Sequence, residues 1–99
     1  MQENFIKSSV ATIQNGVARA DGKLYVTETN IYFEPYNKKL GLGPYELERN
    51  EISKVEKCLG KGGGIFPVTS DAIQITLLDG SEYQFILANP KEWINLLSK

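Results

Sequence analysis

Apolar and polar residues alternate with a period of two through most of this 99-residue chain. Side chains alternate in this way when every second one faces a buried side of a β-strand. Short clusters of Gly, Asn, Asp and Pro interrupt the alternating segments at the points where hairpins would turn. The pattern therefore predicts a series of antiparallel strands joined mainly by short connections.

The first hairpin signal is Asn15-Gly16, a dipeptide typical of two-residue turns. A turn at these two residues would pair Ile13 with Ala18 and place both on one small apolar surface. The second strand is expected to continue to about residue 27, with a β-bulge at Asp21-Gly22.

The register of the second hairpin is predicted from the number of residues in its loop, which must be even if the apolar residues of both strands are to share one face. A four-residue loop, Thr27 to Asn30, pairs Val26 with Ile31 and keeps the apolar residues of both strands on the core side. The same register sets Tyr25 directly opposite Tyr32 on the outer face.

The second half of the chain repeats this organisation. Pro35 should end the third strand, because proline has no N–H to donate. Short strands are predicted at Tyr45–Glu48 and Ile52–Cys58, and Gly60–Ser70 reads as a long connection. In the last hairpin, a three-residue loop at Leu78–Gly80 puts apolar residues opposite each other, with Gly80 left-handed in a bulge.

A helix is predicted after Asn89, which suits an N-cap, and Glu92 stands where a capping box has its carboxylate. Pro90, Trp93, Ile94 and Leu97 form one apolar stripe, so the helix should pack on the sheet with Trp93 as its anchor. About seven strands and one helix predict a mainly β fold, a bent antiparallel barrel in a single domain covering 1–99, with its core at about 9–98.

Charge and composition narrow the possible functions. The chain has 11 basic and 12 acidic residues and a formal net charge of −1, which gives no long-range field for nucleic acid. The N-terminus has no basic region followed by an apolar run, and no apolar stretch approaches the length of a membrane span. A cytoplasmic location is expected, with no nucleic-acid partner and no transmembrane segment.

Catalysis is not expected. The sequence has no histidine, which is the commonest general base near neutral pH and the commonest zinc ligand. Cys58, the one cysteine, therefore has no histidine to activate it. Gly60–Gly64 lacks the spacing of a phosphate-binding loop. We expect no cofactor, no metal and no enzyme; a carboxylate-based enzyme is the least favoured hypothesis.

Several segments together resemble the GRAM domain family. Gly22–Thr27 followed by Ile31–Pro35 is similar to its "G-x-L-Y-L-T … L-x-F" hallmark, and Ile52–Val55 to its "I-x-x-V" strand. Leu77–Phe85 resembles the "D-G-x-x-Y-x-F" hairpin, and Glu92–Leu97 the closing tryptophan helix. The likeness extends from about residue 10 to residue 97, with the motifs in the same order.

This resemblance implies a pleckstrin-homology-like fold and a non-catalytic module, of a kind that is often linked to lipid head groups and includes small stand-alone bacterial members. Lipid binders of that fold carry several basic residues around the first hairpin, and this chain departs from that pattern: the Asn15-Gly16 turn has none, and only Arg19 and Lys23 follow it. The candidate contacts for a partner or lipid are Arg19, Lys23, Tyr25, Tyr32, Lys38, Lys39, Lys61, Ile65 and Phe66.

Two binding hypotheses follow. The favoured one is a protein-interaction module that binds a protein partner or associates with itself, through a sheet edge or the tyrosine pair. The alternative is a peripheral membrane module in which Lys38 and Lys39 meet anionic, phosphoinositide-like head groups and Phe66 enters the bilayer. Ile65 and Phe66 either fold back on the core or stay exposed.

Overall fold

The computed structural model describes residues 5–16, 18–60 and 69–98, and within them the chain forms seven strands and one α-helix. Two short 3-10 turns lie between strands, at Lys38–Leu40 and Arg49–Glu51. In chain order, the elements are β1 (Lys7–Asn15), β2 (Ala18–Val26), β3 (Asn30–Pro35), β4 (Tyr45–Glu48), β5 (Ile52–Gly60), β6 (Thr69–Leu77), β7 (Glu82–Leu87) and α1 (Pro90–Leu97).

All seven strands belong to one antiparallel sheet in the order β4-β3-β2-β1-β7-β6-β5. The sheet curls into a half-barrel, and in the described residues its two edge strands, β4 and β5, do not pair with each other. The mainly β prediction of seven strands and a closing helix is confirmed, but the barrel is open along one seam.

Two predicted hairpin registers are confirmed. Val26 pairs with Ile31, and Tyr25 lies opposite Tyr32. At the other end of the chain, Ile75 pairs with Tyr83, and Gly80 takes a φ of +92° in the three-residue loop. These registers could be predicted because both strands of each hairpin have one clearly apolar face.

The predicted register of the first hairpin is wrong by two residues. Asn15 pairs with Ala18, and Ile13 pairs with Ala20 instead of Ala18. A shift of two leaves every side chain on the same face, so the apolar alternation cannot distinguish the two registers. The observed one pairs the buried Ile13 with the buried Ala20 and leaves Ala18 exposed.

The predicted bulge at Asp21-Gly22 is also wrong, because β2 pairs with β1 there without a register shift. Gly22 is needed for close packing: a Cβ at this position would fall against the carbonyl oxygen of Glu34 and within 2.8 Å of Pro35 Cα. Glycine in the interior of a strand often marks such a close approach of another backbone.

The core lies on the concave side of the sheet and is covered by α1. Trp93 is fully buried, as predicted, and Pro90 and Leu97 of the same stripe are buried with it. The largest fully buried apolar side chains are Trp93, Phe33, Phe85, Leu24, Ile31, Ile73, Ile75 and Val26.

The start of α1 differs from the prediction in two details. Asn89 is at the N-cap but has a left-handed φ of +57° and makes no side-chain capping bond. Glu92 does not form a capping box; its carboxylate accepts a hydrogen bond from Lys7 Nζ at 3.0 Å. The same Lys7 nitrogen lies 5.6 Å from the centre of the Trp93 ring, so β1 and α1 are joined at this point.

Candidate functional site

An aromatic cluster lies on the convex face of the first three strands. The Tyr25 and Tyr32 rings stack with their centroids 5.4 Å apart, and the Phe5 ring packs on Tyr25 at 4.8 Å. Val10, on the adjacent strand β1, is opposite Lys23 and thus on the same face as Tyr25. We call Phe5, Val10, Tyr25 and Tyr32 together the aromatic face.

The aromatic face is open to solvent. Phe5 and Val10 have 63% and 64% of their surface exposed, and both tyrosines are half-buried. Single exposed apolar residues are common on protein surfaces, but Phe5 and the two tyrosines lie in contact with one another, and exposed apolar groups that lie together are often found at interaction surfaces.

Carboxylates border the aromatic face on the side of β3 and β4. Glu46 is opposite Tyr32 and accepts a hydrogen bond from Asn30 Nδ2 at 3.0 Å. Partial burial raises the pKa of Tyr25 above its ordinary value of 10.0, and a hydrogen bond to Glu34 and the charge of that carboxylate raise it further. The phenol therefore stays neutral at physiological pH.

A row of hydrogen-bonded amides lies on the convex face of β1, β7 and β6, which also carries Ile86 and Ala72. Gln14 Nε2 donates to Gln84 Oε1 at 2.7 Å, and Gln84 Nε2 donates to Gln74 Oε1 at 2.7 Å. This row of amides crosses β1, β7 and β6. The aromatic face is thus chemically distinct from the surface beside it.

The predicted basic candidates fall into two places. Arg19 and Lys23 are exposed on the convex face of β2, and Lys23 is opposite Glu34. Lys38 and Lys39 are exposed on the 3-10 turn that follows β3. Lys61, Ile65 and Phe66 lie outside the described residues.

The turn at Lys38 and Lys39 also carries apolar groups. Tyr36 and Leu40, on either side of the lysines, are 65% and 52% exposed. Asn37 Oδ1 accepts a hydrogen bond from Lys39 N at 3.0 Å and so fixes the turn. The sequence has no Asp or Glu from residue 35 to residue 45. We call Tyr36 to Leu40 the basic turn.

A cleft of about 770 Å³ lies at the C-terminal end of α1 and is lined by Ile6, Glu28, Arg49, Asn50 and Asn95 to Leu97. The positively charged side chain in this cleft, Arg49, is held by hydrogen bonds within the fold. It donates to the carbonyl oxygens of Thr27 and Leu96, each at 2.9 Å. The second of these bonds satisfies a carbonyl in the last turn of the helix, where no intrahelical donor remains. Arg49 therefore joins the β2–β3 turn to the helix.

The one cysteine lacks the features of a nucleophile. Burial raises the pKa of the Cys58 thiol above its ordinary value of 9.0, and the charge of Glu56 raises it further. A thiol in that state is protonated at neutral pH, and it is the thiolate that reacts. Across the described residues, no group of three or more His, Cys, Asp or Glu side chains could hold a metal ion.

Sequence reasoning found Tyr25 and Tyr32 but missed Val10, Phe5, Tyr36 and Leu40. A signal existed for Val10, because the inward placement of its neighbour Ala11 turns it outward. Tyr36 and Leu40 could have been noticed as apolar residues beside two lysines in a loop. Nothing in the pattern pointed to Phe5, which precedes the first strand.

The chain matches no protein-family model, and no curated protein sequence is significantly similar to it. Solved structures do resemble it. One is the crystal structure of the C-terminal domain of an unknown protein from Leishmania infantum, with a TM-score of 0.72 and 18% sequence identity. The match covers 96% of this chain and 81% of that one. At this identity the likeness establishes a shared fold alone.

In the part of the chain that the structure describes, no helix has both the length and the apolar character needed to cross a lipid bilayer.

Proposed function

We propose that this chain is a non-catalytic interaction domain of the GRAM type, within the pleckstrin-homology-like fold, that works in the cytoplasm and binds a protein through its aromatic face. The observation that carries the proposal is the cluster of Phe5, Val10, Tyr25 and Tyr32, which is exposed although it is large and mostly aromatic. The sequence motifs and the half-barrel with its tryptophan helix support the choice of family.

The fold does not require aromatic residues on this face. A cross-strand aromatic pair contributes only about 0.2–1 kcal/mol to a sheet, and smaller β-branched residues also suit that position. Tyrosine is enriched in interface cores, where its rigid ring gives a large contact area for a small loss of entropy. The aromatic face thus has the composition of a binding site rather than that of a solvated strand.

Charge defines the partner. On the side of β4 the border of the aromatic face is acidic, with Glu46 opposite Tyr32 and Glu48 further along the strand, whereas Glu34 lies opposite Lys23. Such a border repels an anionic bilayer and attracts a protein with an apolar centre and a basic rim. The occupant we propose is therefore a protein surface in which Lys or Arg residues surround aliphatic or aromatic side chains.

Matched variants test this proposal. Proteins that the wild type captures from cells of the source organism would be compared with those captured by a Tyr25→Ser/Tyr32→Ser variant and by a Lys38→Gln/Lys39→Gln variant. The purified partner would then be titrated against all three by calorimetry. We expect binding to fall by at least about 100-fold in the tyrosine variant, since interface aromatics often contribute 2 kcal/mol or more each. Equal affinity for all three proteins would refute the role of the aromatic face.

A second candidate function, peripheral membrane binding, is favoured by the basic turn. Lys38 and Lys39 stand between the exposed Tyr36 and Leu40, with no carboxylate in the segment. Proteins that bind the membrane surface often place aromatic and aliphatic side chains at the level of the head groups, while nearby lysines bind the lipid phosphates. Each lysine near an anionic surface adds about 1 kcal/mol.

Vesicle flotation tests the second candidate. Vesicles of phosphatidylcholine with phosphatidylserine, and the same vesicles with a phosphoinositide, would be mixed with wild type and with Lys38→Gln/Lys39→Gln. Membrane binding predicts that wild type floats at low salt and that the variant stays in solution. If wild type stays in solution with every vesicle, this candidate function is excluded.

A further inference from the structure

Strand β5 presents a free edge that is suited to pairing with a second copy of this chain. It is nine residues long, and the open seam of the half-barrel leaves one of its edges without a neighbouring strand in the described structure. An unpaired edge offers a row of N–H and C=O groups to any extended chain that fits it. The backbone groups and charges along the edge determine which strand can pair with it.

The hydrogen-bond pattern of the sheet identifies the groups on this edge. Leu77 N donates to Ser81 O at 2.8 Å, so the odd-numbered residues of β6 turn their backbone towards β7. The even-numbered residues of β6 therefore face β5, where Thr76 is opposite Lys54 and Gln74 is opposite Glu56. It follows that the backbone groups of Val55 and Lys57 point towards the free edge.

The regular part of this edge is short and bounded. Register shifts occur between Ile52 and Lys54 and again between Cys58 and Gly60, so Lys54 to Cys58 form the uninterrupted segment. A cleft of about 260 Å³ lies between the start of β5, at Ile52 to Val55, and the C-terminal end of the helix at Leu97 and Ser98.

The charge order of this segment is complementary to itself. Lys54 and Glu56 are exposed on the convex face, on either side of Val55, and within one chain they form an exposed ion pair at 3.5 Å, which pairing with a second copy would exchange for two pairs between the molecules. An antiparallel copy related by a two-fold axis at Val55 would place each Lys54 opposite Glu56 of the other molecule. Two opposite-charge pairs form in this register, and Val55 meets Val55 on the inner side.

The other edge of the sheet has the opposite property. In β4, Glu46 and Glu48 stand on either side of Leu47, so the same two-fold arrangement would set carboxylate against carboxylate. Like charges directly opposite each other destabilise a strand pair. The two edges thus differ in their capacity for self-pairing: β4 opposes it and β5 favours it.

From this we infer that two copies of the chain associate through their β5 edges, in antiparallel register about Val55, into a symmetric dimer with a continuous fourteen-stranded sheet (two times the seven strands of one copy). The inference does not rest on the aromatic face, which lies on other strands. Because only about five residues pair in each copy, the interface is smaller than a standard one and the dimer should be weak and concentration-dependent.

Charge exchange tests the register directly. In Lys54→Glu and in Glu56→Lys alone, both cross-strand pairs become repulsive, so each variant should dimerise at least about tenfold more weakly than wild type in sedimentation equilibrium. An equimolar mixture of the two variants makes both pairs attractive again and should form a heterodimer. Lys91→Glu, an exposed change on the helix that alters net charge as much as Lys54→Glu does, should dimerise like wild type.

A backbone variant gives an independent readout. Lys57→Pro removes an N–H that points to the free edge, and proline is tolerated at such positions of an edge strand. The variant should form a weaker dimer, while its circular dichroism spectrum stays that of wild type. A wild type that remains monomeric at all concentrations, a mixture that fails to pair, or growth beyond a dimer would each overturn the inference. None of these results bears on partner binding by Tyr25 and Tyr32, so the two proposals fail separately.

Discussion

Strands β2 and β3 have two faces that differ in what the fold demands of them. On the concave face, Leu24, Val26, Ile31 and Phe33 are at most 1% exposed. On the convex face, one residue away along the same strands, Tyr25 and Tyr32 stack in contact with solvent. The inner residues are fixed by packing, whereas the stacked outer pair adds only about 0.2–1 kcal/mol to the sheet. Stability therefore depends far more on the inner face than on the outer one, and the outer tyrosines are the residues that we propose to bind a partner.

The largest effect is expected on the inner face. Phe33→Ala should lower the free energy of unfolding by about 3–5 kcal/mol, because it removes a fully buried ring that packs on Phe85 with centroids 5.4 Å apart. Urea unfolding followed by fluorescence measures the change. Phe33→Leu serves as the control and should lose much less. A loss below about 1 kcal/mol for the alanine variant would mean that this face is not the core.

The next effect is expected where the inner face meets the helix. Arg49→Ala should lower the free energy of unfolding by about 2 kcal/mol, since it leaves the carbonyls of Thr27 and Leu96 without their charged donor. Arg49→Lys should recover only part of the loss, because an ammonium group cannot reach both oxygens as the guanidinium fork does. Thermal unfolding of the three proteins checks the order; equal stability of wild type and Arg49→Ala would contradict it.

On the outer face, the effect on stability should be small. Tyr32→Ser should lower the free energy of unfolding by about 0.2–1 kcal/mol, the usual value of a cross-strand aromatic pair. The same variant should lose most of its partner binding in calorimetry. A stability loss as large as that of Phe33→Ala would instead assign Tyr32 to the core, and the contrast between the two faces would disappear.

The smallest effect concerns the ionisation of Tyr25. Burial and Glu34 raise its pKa above 10.0, so the folded state binds the phenolic proton more tightly than the unfolded state does. This contribution to stability is fully present below pH 10 and is lost as the pH rises through the folded pKa. Ultraviolet titration should detect one late-ionising tyrosine that is absent in Tyr25→Phe and ionises earlier in Glu34→Gln. No difference between wild type and Glu34→Gln would argue against this contact.

The sequence predicts the fold best where both strands of a hairpin have a distinct apolar face. This holds for Val26 opposite Ile31 and for Ile75 opposite Tyr83, and both registers are observed. In the first hairpin, alanines stand at both possible partner positions for Ile13, so the pattern could not select between registers that differ by two residues.

Features that depend on distant contacts could not be read from local pattern. Gly22 is set by the approach of Glu34 and Pro35 from the next strand, not by a bulge. Glu92 leaves its local capping role because Lys7, 85 residues earlier in the chain, lies within 3.0 Å. The opening between β4 and β5 likewise follows from how the sheet curls. In the candidate site, the even number of residues in the β2–β3 loop predicts that Tyr25 lies opposite Tyr32. Phe5 could not be predicted in this way, because it lies outside the alternating segments.

Photocrosslinking from the aromatic face in cells of the source organism tests directly whether this face contacts another protein. A benzophenone amino acid would replace Val10 in one variant and Leu78, which is similarly exposed at 67% on the β6–β7 turn, in a control. We expect a discrete adduct with one other protein from position 10 and none from position 78. The same adducts from both positions, or no protein adduct from position 10, would contradict it.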